Sequence, residues 1–95
     1  MMRRDSLYIN GEWVQATGEG VIEVVNPATE KIIGSVPIGS QADVDAAVTA
    51  ARAAFPTWRA TSCEERITVL NQLSAAIKEK TEELAQIITA EVGTP

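Results

Sequence analysis

Leu7-Tyr8-Ile9-Asn10-Gly11-Glu12-Trp13-Val14 decides how the fold begins. Two short runs of β-forming residues flank Asn10-Gly11, the pair that best tolerates the positive φ angles of a tight hairpin turn. Working outward towards the C-terminus, Gln15 to Gly20 reads as a loop, and Val21 to Val25 is a β-branched run broken by one glutamate. Asn26-Pro27-Ala28-Thr29 is a turn signal, because proline presets φ and asparagine bonds its own backbone. Ile32 to Ile38 returns as a strand, with Pro37 near its end, where a missing N–H matters least. Residues 7–38 are therefore expected to form two hairpins.

The pattern then changes period. Ser40 is a candidate N-cap whose hydroxyl can accept from the Asp43 N–H, and Asp43 suits the positive end of a helix. Val44, Ala47, Val48, Ala51 and Phe55 share one face, and Pro56 is expected to stop this helix, giving 41–55. Ser62-Cys63-Glu64-Glu65 fits a capping box at the start of a second helix, 62–80, with Ile67, Leu70, Leu73 and Ile77 as its apolar stripe. A third, 81–92, carries Leu84, Ile87, Ile88 and Val92 on one side and meets Gly93 and Pro95 as stop signals. The fold class is α/β, and α+β within this stretch.

Isolated two-stranded ribbons are marginal in water, so the hairpins need helices or a sheet outside this chain. Gly93-Thr94-Pro95 stops a helix with nothing after it. Both features lead to the expectation that these residues are a segment of a longer protein.

The chain has 95 residues and a net charge of −5. Residues 1–40 hold three basic and five acidic side chains, and residues 41–95 hold five and eight. No stretch is basic, which argues against nucleic acid or an anionic membrane surface as partner. One cysteine rules out an internal disulfide and fits a reducing compartment. Met1 to Asp5 is followed by only three apolar residues, Leu7 to Ile9, too few for a signal peptide, and no run approaches the ~20 residues of a membrane helix. The cytoplasm is the expected location.

Four places could hide chemistry. Cys63 sits in a first helical turn, where the dipole favours a thiolate. A cysteine nucleophile also needs a base or cation beside it. The chain has no histidine, and Arg66 follows Glu64 and Glu65, so Cys63 reads as structural. Gly34-Ser35-Val36-Pro37-Ile38-Gly39-Ser40 has the glycine spacing of a phosphate loop but Ser40 where the lysine belongs, and Pro37 has no N–H to offer. Gly18-Glu19-Gly20 precedes a strand, not a helix, and is weaker still. Glu64, Glu65, Glu79, Glu82, Glu83 and Glu91 read as solvated helix faces, not a cation site. Tyr8, Trp13, Phe55 and Trp58 read as packing anchors, in a core or an interface.

The order of these motifs resembles the N-terminal segment of the NAD(P)-dependent aldehyde dehydrogenase family. Leu7 to Val14 resembles that family's opening hairpin. Val25-Asn26-Pro27-Ala28-Thr29-Glu30 and Ile32-Ile33-Gly34-Ser35-Val36-Pro37 resemble its second hairpin. Asp43-Val44-Asp45-Ala46-Ala47-Val48 and Ala50-Ala51-Arg52-Ala53-Ala54-Phe55 resemble its first helix. Trp58, Ser62, Glu65-Arg66, Leu70 and Glu91-Val92-Gly93-Thr94-Pro95 continue in order. Two departures are Cys63, where proline is common, and Thr94, where lysine is frequent.

The resemblance implies an oxidoreductase that converts an aldehyde to a carboxylic acid with NAD or NADP. A downstream cysteine attacks the aldehyde, hydride passes to the nicotinamide, and a glutamate-activated water hydrolyses the thioester, with an asparagine holding the oxyanion. None of these residues maps onto this chain, so no catalytic or cofactor-binding residue is assigned here, and the chain alone is expected to be inactive and to bind no dinucleotide. One minor element maps: a backbone carbonyl at Val24, matching a monovalent-cation ligand in some members. The expected partners are the rest of the enzyme chain, above all its cofactor-binding domain, and further copies in a homo-oligomer. The catalytic and oligomerisation domains lie outside this segment. The rival readings are a free-standing interaction module, whose apolar stripes would be a docking surface, and a small redox protein using Cys63.

Overall fold

Asn10 and Gly11 take φ of 55° and 76°, the two positive angles of a type I′ turn. The computed structural model describes residues 2, 3 and 5–95, with side chains from Asp5 onward; Met1 and Arg4 of the opening stretch lie outside it. The turn joins β2 (Ser6–Ile9) to β3 (Glu12–Gln15) in the register Leu7↔Val14 and Tyr8↔Trp13. That register puts the two aromatic rings opposite each other. They meet edge to face, with centroids 5.0 Å apart and an interplanar angle of 86°.

The second hairpin pairs β4 (Val21–Val25) with β5 (Ile32–Pro37) antiparallel, with an irregularity between Val24 and Val25. Its turn works as the Asn-Pro signal implies. Asn26 Oδ1 accepts from Ala28 N–H at 2.8 Å and from Thr29 N–H at 3.2 Å, and Asn26 N–H donates to Lys31 O at 2.9 Å. A two-residue strand, β1 (Met2–Arg3), runs parallel to β5, so the sheet order is β1-β5-β4. Sequence reasoning misses β1, because two residues carry no periodicity.

Three helices follow: α1 (Gln41–Arg59), α2 (Cys63–Glu79) and α3 (Thr81–Val92). The expected stop at Pro56 is wrong: α1 continues through it to Arg59. Pro56 has no N–H, so the bond to Arg52 O is lost as it would be mid-helix, but the turn beyond it still forms. The turn closes through Ala60 N–H to Pro56 O at 3.1 Å, and Arg66 of α2 donates through Nη2 to Arg59 O at 2.7 Å. A guanidinium at a helix C-terminus also suits the dipole. Ser62 is the N-cap of α2, accepting from Glu65 N–H at 3.1 Å; the return bond from the Glu65 side chain, expected of a full box, does not form. Gly93 ends α3 in the left-handed region at φ 83° and donates to Thr89 O at 3.0 Å.

These elements spread sideways. The extents are 48 × 33 × 16 Å and the radius of gyration is 17.0 Å, against about 12 Å for a compact domain of this length. A core needs two packed layers. Among the described residues no apolar side chain is buried, and the buried polar ones are Ser35 and Asp43.

Candidate functional site

The best-ordered polar cluster stands at the start of α1. Ser40 and Asp43 cap the helix reciprocally: Asp43 N–H donates to Ser40 Oγ at 3.1 Å and Ser40 N–H to Asp43 Oδ2 at 2.9 Å. This is a capping box with aspartate in the glutamate position. Thr17, from the loop after the first hairpin, joins it. Its N–H reaches Asp43 Oδ2 at 3.0 Å, and its hydroxyl reaches Asp43 Oδ1 at 3.0 Å and Ser40 Oγ at 2.5 Å. The Ser40 N–H holds the Asp43 carboxyl below its ordinary pKa; partial burial opposes this, and the Thr17 donors add to it. Gly18 completes the junction, because a Cβ there would overlap the Ile38 carbonyl oxygen. The cluster is a bracket between hairpin and helix, and the side-chain oxygens of Thr17, Ser40 and Asp43 all hydrogen-bond within it.

A second feature lies between the sheet and α3. A cleft of about 380 Å³ is lined by Val24, Ile33, Ser35, Val36, Ile87 and Glu91, among others. Ser35 is 7% exposed and, among the described residues, its hydroxyl has no hydrogen-bond partner. A buried hydroxyl left alone is costly, and native structures seldom leave one so.

Around both features lies exposed apolar surface. Trp13 is 65% exposed and Phe55 57%, while Leu70, Leu73 and Ile77 of the α2 stripe are all more than half exposed. The aromatic residues are thus not buried anchors within this chain; Tyr8 and Trp13 pack edge to face on each other at the surface. The accessible surface is 7782 Å², where a compact protein of this mass exposes about 5,300 Å².

The sequence candidates fall apart in space. Cys63 is exposed at the start of α2, and Arg66 turns to Thr61 and Arg59 instead of towards a thiol. The phosphate-loop reading fails on geometry: Gly34 to Pro37 is strand, Ile38 N–H goes to Gly20 O at 3.3 Å, and Ser40 N–H goes to Asp43. The glutamates are dispersed, with Glu83 paired to Lys80 at 3.7 Å on the surface. Among the described residues no three His, Cys, Asp or Glu side chains gather as a metal group, and no helix is long and apolar enough to cross a membrane. Val24 lies on β4 opposite Gly34, beside the irregularity at Val25. Thr17 and Ser35 are the residues that sequence reasoning missed: Thr17 stands in no motif, and Ser35 falls within two quoted stretches without being singled out in either.

The two hairpins and three helices stand in the order expected of an aldehyde dehydrogenase N-terminal segment, and residues 13–95 match the sequence profile of the aldehyde dehydrogenase family. The chain belongs to that family. It is 47% identical over 88 residues to a 3-succinoylsemialdehyde-pyridine dehydrogenase from a Pseudomonas species, covering 93% of this chain and 18% of that protein. The crystal structure of an aldehyde dehydrogenase from Bartonella henselae superposes with a TM-score of 0.96 at 32% identity, over all of this chain and 20% of that one. Aldehyde dehydrogenase C from Pseudomonas syringae, solved with NAD+ and octanal, superposes at 0.88 with 48% identity, over 90% and 18%. The chain therefore spans about one fifth of the relatives it matches.

Proposed function

We propose that this chain serves as the N-terminal structural segment of an NAD-dependent aldehyde dehydrogenase, packing against the cofactor-binding domain of that enzyme. The observation that carries the reading is the joint one of family membership and unburied apolar surface: the chain aligns with one fifth of its relatives and leaves its helical stripes uncovered. NAD is favoured because structures similar to this one, from Pseudomonas syringae and Mycobacterium tuberculosis, were solved with it. The assembled enzyme would oxidise an aldehyde to its acid, as a cytoplasmic homo-oligomer, consistent with a lone exposed cysteine.

The segment's own work is mechanical. The Asp43 bracket fixes the first hairpin on α1, and Arg66 fixes α2 on the end of α1. In the assembled enzyme the Val24 carbonyl would offer one oxygen to a monovalent cation. Hard cations take several oxygens, so the rest would come from outside the segment. Replacing potassium by choline should then lower the thermal midpoint of the full-length enzyme.

The direct test uses the 95-residue chain. Titration calorimetry with NAD and NADP should show no heat of binding, and aldehyde with either nucleotide should give no absorbance at the wavelength of the reduced cofactor. Micromolar nucleotide binding, or turnover, would contradict the reading.

A further inference from the structure

We infer that Asn10 is a site of spontaneous covalent modification: in the folded β2–β3 hairpin its side-chain amide is lost to attack by the Gly11 backbone nitrogen, leaving aspartate or isoaspartate at the turn. The Gly11 nitrogen bonds to Asn10 Cγ, the Cγ–Nδ2 bond breaks, and the Gly11 proton passes through water to the departing ammonia, closing a succinimide ring. Water then opens the ring. Cleavage between Cγ and the Gly11 nitrogen gives aspartate; cleavage between the Asn10 main-chain carbonyl carbon and that nitrogen gives isoaspartate. One water is consumed and one ammonia released, with no change of oxidation state. Nothing in these steps depends on the function proposed above.

The fold opens Asn10 to this attack and spares the other two asparagines, Asn26 and Asn71. The ladder pairs Ile9 with Glu12 across the turn, so the Gly11 N–H is not spent in the sheet. Open space surrounds Gly11: a Cβ there would meet no heavy atom within 4 Å beyond its chain neighbours. Asn10 is exposed, and the groove of about 330 Å³ beneath the turn is walled on α1 by Ala47, Ala50, Ala51 and Ala54, whose side chains offer its amide no hydrogen bond. Ring closure also needs rotation about the Asn10 Cα–C bond away from its turn value. β2 and β3 form a two-stranded sheet, and such ribbons are marginal in water, so the rotation is accessible. Asn26 differs on each count: Pro27 follows it and has no N–H, and its Oδ1 already accepts from Ala28 and Thr29. Asn71 lies inside α2, where the following N–H belongs to the helix ladder. The two products then part ways. Aspartate also suits a type I′ turn, so that form keeps the hairpin and adds a negative charge. Isoaspartate carries the main chain through Cβ and Cγ, which lengthens a loop whose length fixes the register and so separates Tyr8 from Trp13.

The test incubates the 95-residue chain in mildly alkaline buffer, with and without urea, beside an Asn10→Gly variant that keeps a turn-forming pair. Near-ultraviolet circular dichroism of the Tyr8–Trp13 pair reports the hairpin at the start. Without urea, the expected result is a mass gain of about 1 Da, the exchange of NH for O. Peptide mapping should place it at Asn10, with Asn26 and Asn71 intact and no gain in Asn10→Gly. Chromatography should separate two products, of which the isoaspartyl form loses the aromatic dichroism and the aspartyl form retains it. Reaction of Asn10 in urea alone would show that the folded turn shields the amide, and it overturns the inference. An equal gain at Asn71 without urea overturns it as well, because selection by the fold would be absent. A starting chain with no Tyr8–Trp13 signal does the same, since the hairpin would not be the reactant.

Discussion

Unpartnered, the 95-residue chain should fail to unfold cooperatively. Its unfolded form would expose about 14,800 Å² by size scaling, and the folded arrangement still exposes 7782 Å². It therefore buries about 47% of its surface, where a compact protein of this mass would bury about 64%. The shortfall is about 2,500 Å². If a little over half of that is apolar, as on ordinary protein surfaces, the missing stabilisation is ~35 kcal/mol at 25 cal/mol per Å². Whole domains are stable by only ~5–15 kcal/mol, so local bracing cannot make up the difference. The perturbation is simply isolation from the rest of the enzyme, and the assay is scanning calorimetry on a sample shown to be monomeric by sedimentation. Helical far-ultraviolet signal with no heat-absorption peak is expected. A sharp transition with a calorimetric enthalpy near ~65 kcal/mol, the value for a normal domain of this length, and an equal van't Hoff enthalpy would refute the reasoning.

Three further outcomes are expected. Because the Asp43 carboxyl is depressed in the folded bracket, its contribution is fully present above its ordinary value of 3.8 and is lost as pH falls through the lower folded value. The Thr17 and Ser40 amide resonances should move together below pH 3.8, and a shared midpoint at or above that value would contradict the bracket. In a full-length enzyme carrying this segment, Gly18→Ala should lower the urea midpoint by the equivalent of ~1–3 kcal/mol, because the new methyl meets the Ile38 carbonyl and only backbone movement relieves it; an unchanged midpoint would show the approach is looser than it is drawn. Ser62→Ala should weaken α2 by ~1 kcal/mol through loss of the Glu65 N–H acceptor, seen as reduced helicity by circular dichroism, whereas unchanged helicity would mean the cap is idle.

The elements most legible in the sequence were those whose cause is local. Asn10-Gly11 announces its turn because few residues accept two positive φ angles in succession, and Ser40, Ser62 and Gly93 announce helix ends because caps use near neighbours. Pro56 reads as a stop because it removes a donor, but one lost bond does not end a helix whose last turn is closed by Ala60 N–H and braced by Arg66 from the next helix. Thr17 and Ser35 were illegible for a different reason. Their significance comes from contacts 26 residues away in one case, and from a missing partner in the other. The apolar stripes show in the helical periodicity, but a stripe does not say whether its cover lies in the same chain.

The Arg66 brace has a consequence for how the segment joins its enzyme. Its guanidinium fastens the elbow between α1 and α2 through Thr61 Oγ1 and Arg59 O without help from any buried apolar contact. One side chain thus sets the angle at which α2 leaves the end of α1. The direction of that corner is therefore encoded within the stretch from Arg59 to Arg66, so the bend travels with the chain wherever its apolar faces find their cover.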